Sequence, residues 1–355
     1  MSETARSSDD ENQIDDTALA ILVACQHRGV LTLGELQQLL SMRSLDDRSF
    51  QSVLASGHLI EQGNRYAVTA DGRRFLDNML ESIEGQLTPD APEYERRFRR
   101  ESPSLPFEAN TIWAEAICVN VQIEPDALRP LIPTHFELDL YNDKAFISLT
   151  ASRLKDFGMG RIPRALRMNF YQSTYRAHVI FTDYRGRKMR GCYFVRSETN
   201  SHIMSLTANL LPEFKAHHCG TFPILMAHNG KHLVFSVDSG DDPAGKVVLV
   251  LDDAHPLNAM PESSIFPTIQ DSYDFIVDFY DAFSYDPDTD DVFILSIDRG
   301  DWDIRVLETV DCYLGYFEDG PFPAGSTKVD SVFYFRNTPY RWLPLVKERI
   351  RRKPS

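Results

Sequence analysis

The first lysine of this 355-residue chain is Lys144. Everything before it draws its positive charge from arginine alone. Between Asp15 and Gly85, six arginines face ten acidic residues, and the whole chain carries a formal charge of −15. That balance argues against broad electrostatic attraction to nucleic acid or to an anionic membrane. No apolar run approaches the roughly 20 residues that a membrane span needs. The opening MSETARSSDDENQ is acidic and polar, unlike a secretory signal. The five cysteines are scattered, odd in number and without a CxxC pair, which fits free thiols in a reducing cytoplasm and supplies no zinc signature. No GxGxxG follows a strand, so a dinucleotide fingerprint is absent. The DPDTDD run at 286–291 lacks the glycine and distal glutamate of a calcium loop. His228 and His232 flank Asn229-Gly230, a hairpin signal, so they do not share a helix face as metal ligands often do. No metal and no cofactor are expected.

What is present divides into parts. A chain of this length is long for one core, and its 43% hydrophobic content is ordinary for a globular protein. Residues 1–14 read as a disordered tail. Over 15–85 the pattern predicts three helices, a hairpin over 59–69 around Gly63-Asn64, and a closing helix. That order is the winged helix-turn-helix order. Arg48 and Gln51 on its third helix, with Arg65 and Arg73 at the wing, are candidate contacts to DNA or to a protein partner. A charged linker over 86–105 contains EYERRFRRE. The large domain spans 106–346, and 347–355 form a basic tail expected to fray.

In the large domain strand signals dominate: 112–123, 146–154, 171–182, 192–196, 225–227, 233–237, 247–251, 292–297, 304–309 and 332–335. Helices are predicted over 201–210 and 271–282. Many short strands with two inserted helices predict a closed or nearly closed antiparallel barrel. The segment IEPDALRPLIPTHFELDLYNDKAFISLTASRL, residues 123–154, combines a proline-opened helix, two proline stops and two alternating strands. This segment, with GRKMRGCYFVRSETNSHIMSLTANLLPEF, VFILSIDRGDWDIRVLE and VDSVFYF, resembles the YqjF-like family of the acetoacetate decarboxylase-like superfamily. The resemblance implies an α+β fold: a winged helix-turn-helix followed by a mainly antiparallel acetoacetate decarboxylase-like β-barrel with two inserted helices.

The same resemblance places Lys215, in LPEFKAHH, near the position of a Schiff-base lysine. Such an amine attacks a ketone only when neutral, so burial or a second cation must lower its pKa. The decarboxylase pattern has two adjacent lysines; here Glu213, Phe214 and Ala216 surround a single one. Asn169, Ser173, Phe279, Tyr280 and Arg299 also replace polar residues of the family pattern. Glu198, at a strand end, is the candidate acid–base group. Arg196 and His202 beside it, and Arg161 and Arg164 on the loop GMGRIPRALR, are candidate contacts to a carboxylate or phosphate. The leading expectation is a cytoplasmic protein that binds a small apolar or carboxylate-bearing metabolite in the barrel, with a ligand-responsive regulator as its extension. The alternatives are a Schiff-base lyase acting on a keto acid through Lys215, and a non-catalytic scaffold.

Overall fold

A computed structural model of the chain describes residues 108–159, 167–183, 185–210, 219–300 and 302–349. Before these it describes 21, 22, 25, 30–32, 34, 51, 53–63 and 65–75. In this early part, β1 (Leu31–Thr32), β2 (Leu59–Gln62) and β3 (Arg65–Val68) form an antiparallel sheet in the order β1-β3-β2. The hairpin expected over 59–69 is therefore present, with Gly63 at φ 70° in its turn, a conformation that glycine adopts without penalty. Gln51, Arg65 and Arg73 are exposed on these pieces. Residues 70–75, at the start of the expected closing helix, are helical; Arg48 and much of the other expected helices lie outside the described residues.

The large domain is a mostly-sheet α+β fold. Its strands are β4 (Ala109–Ile123), β5 (Phe136–Leu138), β6 (Ala145–Met159), β7 (Met168–Thr182), β8 (Lys188–Thr199), β9 (Cys219–Thr221), β10 (Ile224–His228), β11 (His232–Val237), β12 (Val247–Leu257), β13 (Asp281–Asp286), β14 (Asp291–Arg299), β15 (Arg305–Leu314), β16 (Thr327–Trp342) and β17 (Val346–Arg349). The helices are short: α1 (Pro125–Leu128), α2 (His202–Leu210), α3 (Ile269–Ile276) and α4 (Gly315–Glu318). Pro125 opens α1, where its missing N–H leaves nothing unpaired. Thr268 caps α3 by accepting from the Asp271 amide.

Pairing follows a ring: β16-β4-β6-β7-β8-β13-β14, with β14 returning to β16 through Ile297–Arg299 opposite Tyr340–Trp342. Every neighbour in the ring is antiparallel except β8 and β13. A second arm, β15-β12-β11-β10, extends from β16. The strands of the ring are therefore covered on both faces. One face carries Ile117, Val119, Val121, Ile147, Leu149, Ala177 and Val179, which pack beneath the second arm. The other carries Cys118, Asn120, Ser148, Thr150, Thr174, Arg176 and His178, alternating with the first set as strand geometry requires.

Three expectations need correction. The helix predicted over 271–282 stops at Ile276, and Asp281–Asp286 is strand β13. Val277 and Asp278 both donate to the Tyr273 carbonyl as the helix closes, and beyond it Arg299 bonds the carbonyls of Val277 and Phe279. The barrel is not wholly antiparallel, because β13 enters beside β8 after a long excursion and runs with it. The basic tail does not fray at 347: Val346–Arg349 pairs with β14, and Lys347 bonds Asp291.

Gly191 sits where β8 meets β13. A Cβ there would stand 2.4 Å from the Asp281 carbonyl oxygen and 2.6 Å from the Phe283 ring. Gly191→Ala should therefore strain the ring at its closing seam and cost roughly 2 kcal/mol or more. Gly300→Ala, with nothing within 4 Å of the added carbon, is the control. Chemical denaturation of both variants checks this; equal midpoints would show that the seam tolerates the methyl group.

Candidate functional site

A small cavity of about 20 Å³, partly open to solvent, is lined by Cys118, Ser148, Thr150, Arg176, Ile297, Arg299, Trp302, Tyr340 and the segment Ile276–Phe279. β7 pairs with neither β14 nor β16, yet residues from all three line it, so it lies inside the ring. The volume holds about one water-sized group.

The wall is rich in donors. Arg176 donates from Nε to Thr174 Oγ1 at 3.0 Å and lies 5.2 Å over the Trp113 ring and 5.7 Å over Phe194. Arg299 donates to the carbonyls of Gly300, Val277 and Phe279, and lies 4.3 Å over Trp302 and 4.8 Å over Tyr280. Among the described residues, neither guanidinium meets a carboxylate. Their partners are neutral dipoles and ring faces, which satisfy geometry but leave two positive charges unbalanced around one space. The indole N–H groups of Trp113 and Trp302 are buried without an acceptor among the described residues. Leaving such donors unpaired costs about 1–3 kcal/mol each.

Behind the cavity runs a buried polar row across four strands. Asn120 Nδ2 donates to Ser331 Oγ at 3.1 Å, and Asn120 Oδ1 lies 2.9 Å from Ser148 Oγ. Ser148 Oγ is in turn 2.9 Å from His178 Nε2. His178 is almost wholly enclosed, stacked on Phe275 and edge-on to Phe279. Burial pushes its pKa down to about 3, with the charges of Arg190 and Arg176 acting in the same direction. It is a neutral hydrogen-bonding member of the row at ordinary pH.

The residues singled out in the sequence lie elsewhere. Glu198 and Arg196 are ion-paired on the other face of the ring strands. Ser173 Oγ donates to Glu198, and Arg196 also reaches Asp242 in the β11–β12 loop. Gly245 makes room for this arginine, since a Cβ there would come within 2.6 Å of its Nη2. Burial pushes the Glu198 carboxyl up to about 7, against the opposing pull of Arg196 and Ser173. The neighbouring Tyr175 hydroxyl is fully buried and has no partner among the described residues, and burial holds its pKa well above the usual value. Arg196 is thus committed to two carboxylates, whereas an anion-binding arginine needs free donors. His202 opens α2. Lys215, Arg161 and Arg164 lie outside the described residues.

Other basic side chains of the domain are absorbed structurally. In the β7–β8 turn region, Arg187, Lys188 and Arg190 pair with Asp183, Glu137 and Asp139. His228 bridges Glu115, at 2.5 Å, and Asp253, at 3.3 Å, while Arg153 and Arg305 bond the same two carboxylates. This group ties β10 to β4 and β12. Arg176 and Arg299 escaped sequence reasoning as a pair. A signal existed for Arg176: Thr174, Arg176 and His178 recur at every second position of β7, alternating with Tyr175, Ala177 and Val179.

The sequence pattern of the family DUF2071, described as an uncharacterized conserved protein, matches residues 110–339, and the chain belongs to this family. No curated protein matches it. Among solved structures it is similar to acetoacetate decarboxylase from Legionella pneumophila subsp. pneumophila str. Philadelphia 1, at 15% identity over 75% of this chain and 98% of that one, with a TM-score of 0.43. It is similar to an acetoacetate decarboxylase-like enzyme from Sphingomonas wittichii RW1, at 11% identity over 69% of this chain and 93% of that one, with a TM-score of 0.42. It is also similar to the enduracididine biosynthesis enzyme MppR complexed with pyruvate, at 12% identity over 69% of this chain and 91% of that one, with a TM-score of 0.43. At these values no correspondence of residues follows. No helix among the described residues is long and apolar enough to cross a membrane.

The depressed His178 pKa has a stability consequence. Above about pH 6.5, where an unfolded histidine is also neutral, the group imposes no penalty. As pH falls from there towards 3, the unfolded chain takes up the proton first and the fold loses stability. Denaturation between pH 7 and pH 4 should show this loss in wild type and a shallower one in His178→Gln, whose amide still reaches Ser148. Identical slopes would mean that His178 does not titrate as its burial requires.

Proposed function

We propose that this member of the DUF2071 family binds a small carboxylate-bearing molecule inside its seven-stranded ring, with the carboxylate facing Arg176 and Arg299. The observation that carries this reading is the pairing of two guanidiniums with one cavity and, among the described residues, no carboxylate bonded to either. Arginine forks match carboxylate geometry, and a charge-assisted hydrogen bond is roughly twice as strong as a neutral one. The unpaired indole donors of Trp113 and Trp302 in the surrounding aromatic core add to the preference for an acceptor. The cavity admits little more than the head of a ligand, so the remainder of the molecule lies towards the open side.

Acetate and its neutral isostere acetamide separate charge recognition from size. Acetate should perturb tryptophan fluorescence, given that Trp302 lines the cavity, and acetamide should not. Arg176→Gln should weaken acetate at least tenfold, in line with losing a charged partner, and Arg176→Lys should restore part of it. Equal responses to acetate and acetamide, or an unaltered affinity in Arg176→Gln, would remove this reading.

A second reading draws on the other cluster. Glu198 is a sealed carboxyl that titrates near neutrality, a property shared by acid–base groups. Its strand pairs in parallel with β9, which sets Glu198 opposite Gly220, five residues beyond Lys215 in the chain. In that reading Lys215 forms a Schiff base with a keto acid and Glu198 moves the proton. Incubation with a panel of keto acids and cyanoborohydride should then leave a reduced adduct on Lys215 by peptide mass, slowed in Glu198→Gln. A panel that leaves Lys215 unmodified would leave only the binding function.

A further inference from the structure

One wall of the cavity is held largely by side chains. From the last turn of α3 to the start of β13, residues Asp274–Tyr280 cross the ring face. Only the last of them joins the sheet, where the Ile297 amide donates to the Tyr280 carbonyl at 2.7 Å. Four other carbonyls of this stretch are held by two arginines. Arg190, on β8, donates to Asp274 at 3.3 Å and Phe275 at 3.1 Å, and lies 5.1 Å over the Phe275 ring. Arg299, on β14, donates to Val277 and Phe279. Phe275 and Phe279 in turn cover His178.

We propose that Asp274–Tyr280 is a strap that opens and closes the ring cavity, with Arg190 as its outer clasp and Arg299 as its inner one. The inference rests on the reading of the cavity as a binding site and supplies its gate. Strand pairing fixes most of the ring through ladders of many bonds, whereas the strap has only short-range backbone bonds, from Val277 and Asp278 to the Tyr273 carbonyl and from Phe279 to that of Val277, beside its two arginine clasps and the packing of Phe275 on Tyr141, Phe146 and Phe266. Segments with few regular backbone hydrogen bonds open at lower free energy than the strands around them. Its two clasps also differ in consequence. Arg190 is half-exposed and outside the cavity, with Asp139 as an ionic partner at 2.7 Å. Arg299 belongs to the cavity wall. When the strap is down, the carbonyls of Val277 and Phe279 orient Arg299, so closure also assembles the anion-binding wall. Release of the strap would at once admit ligand and loosen the arginine that holds it.

Cys118 lines the cavity and reports on opening, because its thiol is otherwise buried. Cys219, buried on the other face beside Glu198, reports on general unfolding. Wild type and Arg190→Gln would be exposed to N-ethylmaleimide at one pH, and the labelling rate at each cysteine followed by peptide mass. The strap predicts that Arg190→Gln raises the Cys118 rate at least tenfold while Cys219 changes less than twofold. Equal rates at Cys118 in the two proteins, or a parallel rise at both cysteines, would overturn it. A second arm adds acetate: protection of Cys118 in wild type supports occupancy of the cavity. Accelerated Cys118 labelling in Arg190→Gln without acetate protection would sink the carboxylate reading while sustaining the strap.

Discussion

The rest of the large domain depends on closure of the ring through β8, β13 and β14. Without that seam, the strands β4, β6 and β7 would form an ordinary two-faced sheet: one apolar face against the second arm, one polar face in water. Closure turns the polar face inward. Asn120, Ser148, Thr174 and His178 then lose bulk water and must find partners in one another. A buried polar group left unpaired is costly, so a row that satisfies itself across four strands also discriminates against a shifted register. A slip of one residue would bring Ile and Val side chains where hydroxyls now meet.

Charge is distributed by the same logic. Several arginines of the described domain are neutralised by carboxylates close to the surface: Arg187 by Asp183, Arg305 by Asp253, Arg341 by Glu108 and Asp298. Arg196 is neutralised deeper, by Glu198 and Asp242. Arg176 and Arg299 differ, held among the described residues by aromatic faces, the Thr174 hydroxyl and backbone oxygens; Arg129 likewise bonds only carbonyls, but away from the cavity. In a chain of net charge −15 there is no shortage of carboxylates to pair them. Among the described residues two guanidiniums are kept away from that supply within one cavity, which is what supports the proposed binding of an anion from outside the chain. The aromatic rings around them, Trp113, Trp302, Phe335 and Tyr340, stack into a rigid wall that positions the charges without neutralising them.

Some of this was legible in the amino-acid order. The alternation in ICVNVQI and ISLTAS named the strands and their two faces. Pro125 marked the start of α1, and Gly63 and Gly230 marked hairpin turns. The stretch 277–280 misled, because Val, Phe and Tyr at helical spacing extend the pattern of α3. The carbonyls of Val277 and Phe279 instead meet Arg299, about twenty residues away. Arg196 and Glu198 were read as neighbours, since residues two apart on a strand share a face. That Arg196 would be occupied was less legible, because Asp242 arrives from a distant loop and uses the arginine.

What the sequence by itself determined is local: which residues alternate, where turns must fall, and which segments have enough apolar side chains to be strands. These follow from backbone sterics and side-chain periodicity, which operate over a few residues. Only the tertiary structure decided that the polar face of the sheet would be an interior, and that Arg176 and Arg299 would share one space. Between those two arginines lie more than a hundred residues and the parallel seam at Gly191. Alternation tells which side chains face together; it does not tell whether that face meets water or closes on itself.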